Sequence, residues 1–140
     1  MTMIALIIAL AAGSSAAAQD VAPPAIRPIE RVMPVYPAYA VGLGVNAVCL
    51  GQFEIGAGGV PADLCVRCST SLPASSPSAE RTAASFAHAS ETAIAQWRYD
   101  EDHIGTRMTD VRLSFLLPDE PDVEIPDPPA MGECSGHEAS

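Results

Sequence analysis

From Cys49 to Ile55 the chain alternates. Cys49, Gly51, Phe53 and Ile55 take turns with Leu50, Gln52 and Glu54. Period two is the repeat of a strand with one buried face. Ala57-Gly58-Gly59 follows, supplying the positive φ that a tight turn needs. Leu64 and Val66 then alternate with Cys65 and Arg67, which predicts the return strand of a hairpin. Pro61 cannot donate to a ladder, so an edge or a bulge is expected at the start of that strand. A second alternating run places Val111, Leu113, Phe115 and Leu117 on one face, and Pro118 stops it.

Two segments carry helical signals instead. Pro37 suits the first turn of a short helix through Tyr39-Ala40-Val41, which Gly42 and Gly44 end. Ser76-Pro77 has the form of an N-cap followed by proline at the first helical position, and predicts a longer helix running to Trp97. Phe86, Ala89, Ala93 and Trp97 then fall at i, i+3, i+7 and i+11 and form one inward stripe. His88, Glu91 and Gln96 lie off it. Asp100 to Thr106 reads as a loop. The expected order is short helix, hairpin, long helix, third strand.

The flanks differ in character. Met3 to Ala12 is apolar, Gly13-Ser14-Ser15 breaks the run, and Ala16-Ala17-Ala18 precedes polar Gln19-Asp20. This is the pattern of a cleaved secretory signal over 1–18. The alternative is an uncleaved inner-membrane anchor, but the run is shorter than the roughly 20 residues of a spanning helix. Residues 19–32 form a proline-rich extended linker, 33–117 the folded domain, and 118–140 an acidic proline-rich tail.

The formal net charge is −10, from 17 acids and seven bases, all arginine. Seven acids lie in 118–140, leaving ten acids against seven bases upstream. Nucleic acid is excluded as a partner, because a phosphate backbone calls for a basic face.

Tyr36-Pro37 with Ala40, the strand Gln52-Phe53-Glu54-Ile55, the turn glycine Gly59, Phe86, and Trp97-Arg98-Tyr99 together resemble the TonB C-terminal domain family, over about Met33 to Leu117. The resemblance implies an α+β fold. It is a two-layer α/β sandwich of the TolA/TonB C-terminal type, in which a three-stranded antiparallel sheet packs on helices. It also implies a non-enzymatic, periplasmic module linked to transmembrane transport. Such a module binds an extended peptide by strand addition at its last strand. Here that strand is Met108, Thr109, Asp110, Val111, Arg112, Leu113, Ser114 and Phe115, with Asp110, Arg112 and Ser114 pointing away from the core. The implied partner is an envelope protein such as a TonB-dependent outer-membrane receptor, with homodimerisation through the same edge as a further option. No cofactor is implied.

Four cysteines, Cys49, Cys65, Cys68 and Cys134, suggest two disulfides in an exported protein, with three possible connectivities. Cys49–Cys68 is favoured, because the hairpin puts these two on one face as diagonal neighbours; Cys65–Cys134 follows. Cys65-x-x-Cys68 would instead be a redox pair in a small thiol-redox protein, but such motifs belong at a helix N-terminus and this one ends a strand. The scattered His88, His103 and His137 and the acidic Asp100-Glu101-Asp102 read as solvated positions, and no catalytic or metal-binding set is expected. Trp97 is read as a core anchor.

Overall fold

The strand Ala47–Ile55 (β1) lies in the middle of a three-stranded antiparallel sheet, in a computed structural model that describes residues 25–119 and 124–129. Pro61–Thr70 (β2) pairs on one side and Arg107–Phe115 (β3) on the other. The expected leader over 1–18 lies outside the described residues. The short helix Ala38–Leu43 (α1) precedes the sheet, and the long helix Ala79–Ile94 (α2) joins β2 to β3. The fold is a small α+β unit, and α2 packs on β2 and β1.

One face of β1 is the floor of the core. Ala47, Cys49, Phe53 and Ile55 are fully buried there, flanked on the same sheet by Leu113 and Phe115, and Phe86, Ile94, Trp97 and Tyr99 join them in the core. Tyr36, Phe86 and Phe115 form an edge-to-face trio, with centroids 4.9 to 5.5 Å apart. The Tyr36 hydroxyl donates to the Val45 carbonyl, and burial pushes its pKa above the ordinary tyrosine value.

Gly44 ends α1 in the left-handed conformation, its N–H bonding back to the carbonyls of Ala40 and Val41. Pro37 sits one position earlier than the first helical turn, as the N-cap, where its missing N–H costs nothing. The long helix also differs from expectation at both ends. Its N-cap is Ser78, while Ser76 and Pro77 lie in the turn before it. It stops at Ile94, so Trp97 lies beyond its last turn, held by the bond from Trp97 N to Ile94 O. The buried face is Thr82, Phe86, Ser90, Ala93 and Ile94; Ala89 is only half-buried. The polar pair disguised the stripe. Ser90 enters the core because its hydroxyl donates to the Phe86 carbonyl one turn earlier, at 2.9 Å.

Both outer strands are bulged, β2 opposite Phe53 and β3 opposite Gln52. Between Gln52 and Glu54 the β2 side carries one extra residue, and between Gly51 and Phe53 the β3 side does the same. Asp63 (φ 52°) and Asp110 (φ 56°) take the left-handed conformation at these points. The expected irregularity near Pro61 is the first of these. The second lets Met108 and Val111, three residues apart, both face inward; strict period two predicts only Val111.

The open end of the sheet is tied by Asn46, which is 1 % exposed. Its side-chain oxygen accepts from the Leu117 N–H at 2.8 Å and from the Tyr36 hydroxyl at 3.3 Å. Its backbone exchanges bonds with Ser71. One residue thus joins the ends of all three strands.

Residues 25–32, inside the proline-rich stretch, are fastened to the domain. Glu30 and Arg98 form an antiparallel bridge, and the Trp97 indole N–H donates to the Val32 carbonyl at 2.8 Å. At the other end, Pro128 is buried and Ser69 donates to the Pro126 carbonyl, so 124–129 lies against β2.

Candidate strand-addition edge

The sheet order β2-β1-β3 makes β3 an edge. Which of its backbone groups are free follows from the ladder. Ser71 N donates to Asn46 O, so the even-numbered residues at the start of β1 direct their backbone groups toward β2. Ala47, Cys49 and Gly51 therefore direct theirs toward β3, where they meet Phe115, Leu113 and Val111. The intervening residues, Arg112 and Ser114, turn their N–H and C=O groups to the outer side. Among the described residues, no other segment bonds to those groups.

The eight residues read from the sequence as a binding strand divide by burial. Thr109, Asp110, Arg112 and Ser114 are exposed. Met108 and Val111 are half-buried, and Leu113 and Phe115 belong to the core. The side chains open to solvent along the edge are thus these four, while Leu113 and Phe115 hold the strand in place.

A groove of about 880 Å³ runs beside this edge, between β3, the 25–31 segment and the Trp97–Tyr99 corner. Arg31 stacks over the Trp97 ring at 5.1 Å. Burial raises the Tyr99 pKa, and the Arg31 charge partly offsets that. The groove is illegible in the sequence reading, because its N-terminal wall comes from the stretch assigned to a linker. Ile26 and the Trp97 indole N–H were the usable signals: an apolar residue and a donor, each calling for a partner.

Trp97 is 2 % exposed, and its single polar atom is bonded within the chain, as a core anchor requires. Cys49 and Cys68 form a disulfide. They face each other directly in the register, with Cα atoms 4.1 Å apart, not as diagonal neighbours. Cys65 is also disulfide-bonded, so Cys65 and Cys68 are not a free vicinal thiol pair. Cys134, and hence the expected Cys65–Cys134 pairing, lies outside the described residues. His88 is exposed and His103 half-buried, while His137 is outside the described residues. Asp100 accepts from the Asp102 N–H at 2.9 Å, which makes the acidic loop a capped turn. Among the described residues no three His, Cys, Asp or Glu side chains converge as a metal site. No described helix is long and apolar enough to cross a membrane.

The chain matches no protein-family model, and it matches no curated protein.

Proposed function

We propose that the chain is an exported protein-binding module of the TonB-like kind, not an enzyme, which takes an extended segment of an envelope protein onto the outer edge of β3. The partner of first choice is an outer-membrane transporter, and the compartment is the periplasm. The observation that carries the reading is the free edge: Arg112 and Ser114 offer backbone donors and acceptors that nothing else among the described residues uses. A bound strand continues the ladder, so main-chain bonds supply affinity and the exposed side chains supply choice. The Asp110 bulge limits indiscriminate pairing by twisting the edge at one end.

Ser114→Pro tests this. Ser114 is exposed and its N–H faces outward, so proline removes one edge donor without touching the ladder to β1. Ser114→Ala is the control. Envelope proteins captured by the wild type and by Ser114→Ala are expected to be lost with a folded Ser114→Pro. Equal capture by all three contradicts the reading.

A further inference from the structure

We infer that the groove beside β3 selects an acidic segment, so that the strand added at the edge carries carboxylates that seat among Arg27, Arg31, Arg107 and Arg112. The extended form of this ligand rests on the edge-strand reading above; its charge rests on the groove alone.

Four of the chain's seven arginines are among the residues that line this one groove, and Asp110 is the single acid among them. The chain as a whole carries −10, so the groove reverses the sign of the molecule locally. None of the four arginines makes an ion pair with a described residue. Grouped like charges repel, and an incoming anion relieves that repulsion while gaining charge-assisted hydrogen bonds. Arg31 is already oriented by the Trp97 ring, which leaves its N–H donors available for a planar carboxylate.

Size favours a peptide over a single small acid. Arg107 to Arg112 spans about 16 Å of strand, and the groove volume of about 880 Å³ follows it. A nucleic acid or an anionic bilayer meets the repulsion of the whole chain, whereas a short segment mainly feels charges within about 8–10 Å. The chain's own tail is acidic, but its segment 124–129 lies against Ser69 of β2, at the opposite edge of the sheet.

The test is calorimetric titration of the full exported chain with short blocked peptides that alternate threonine with glutamate, glutamine or lysine. The glutamate peptide is expected to bind about tenfold tighter than the glutamine one, and to weaken as salt rises from about 50 to 300 mM. Arg31→Gln with Arg107→Gln is expected to abolish the preference. Arg67→Gln and Arg81→Gln, which lie outside the groove, are expected to keep it. Equal binding of the glutamate and glutamine peptides, lost in Ser114→Pro, overturns the charge inference and leaves the edge reading standing. A glutamate preference that survives Ser114→Pro keeps the groove and overturns the edge reading. No binding by any peptide, with or without residues 120–140, overturns both. Binding that appears only after 120–140 is deleted assigns the groove to the chain's own tail and overturns a separate partner.

Discussion

Gly59 and Tyr99 meet backbone to backbone. The Tyr99 N–H donates to the Gly59 carbonyl at 2.9 Å, and a Cβ on Gly59 would lie 2.0 Å from the Tyr99 carbonyl oxygen. Gly59 also sits at φ +72°, where a side chain is strained. The hairpin turn and the Trp-Arg-Tyr corner are therefore locked together, and the corner in turn carries one wall of the groove. Gly59→Ala is expected to destabilise the chain by about 2–4 kcal/mol, through left-handed strain plus displacement of Tyr99. Chemical denaturation measures it, and a loss below about 1 kcal/mol would show that the corner yields freely.

The Thr82 hydroxyl is buried without a hydrogen-bond partner among the described residues. Thr82→Val keeps the shape and removes the unpaired group. It is expected to raise stability by about 1 kcal/mol, seen as a higher melting temperature. A lower one would mean that the hydroxyl has a use in the folded chain.

Tyr36 and Tyr99 both have pKa values raised, chiefly by burial. The folded state holds these protons more tightly than the unfolded chain. The resulting stability is fully present below about pH 10, the unfolded tyrosine value, and is lost as pH rises through the higher folded values. The melting temperature is expected to fall steeply above about pH 10, and Tyr36→Phe is expected to flatten that fall. Tyrosinate absorbance that titrates at the ordinary value in the folded chain contradicts this.

Cys49 and Cys68 are 19 residues apart and close the β1–β2 hairpin. Replacing both by alanine is expected to cost about 3 kcal/mol, by releasing the unfolded chain. Loss of the Cys49–Cys68 bridge is expected to leave the β3 edge intact, because β1 pairs with β3 through its own ladder. A double variant that stays folded yet loses partner capture would show that the bridge acts on the edge itself.

The strands were legible because β1 alternates from Cys49 to Ile55 and its turn glycines are unambiguous. Helix α2 was placed correctly but with the wrong ends. Ser76-Pro77 carries the sequence signature of a cap, whereas Ser78 begins the helix with no side-chain capping bond. Its buried stripe was half visible, because Thr82 and Ser90 look like surface residues until their positions in the core are seen. The bulge at Asp110 was hidden for a similar reason: an aspartate in a strand signals exposure, not a left-handed backbone. Asn46 gave no signal at all, since an asparagine before a strand reads as loop. The edge itself follows from strand order, which the chain sequence suggested through a family resemblance. The arginine groove could not be read, because it joins residues 25–31 to β3 across nearly 80 positions of sequence.

Amide hydrogen exchange at Arg112 and Ser114 tests the central claim most directly. In the free chain both amides face outward and are expected to exchange fast, while Val111 and Leu113, laddered to β1, are protected. With a partner segment bound, Arg112 and Ser114 are expected to become protected. Partner binding that leaves these two amides fast, with new protection elsewhere, contradicts strand addition at β3.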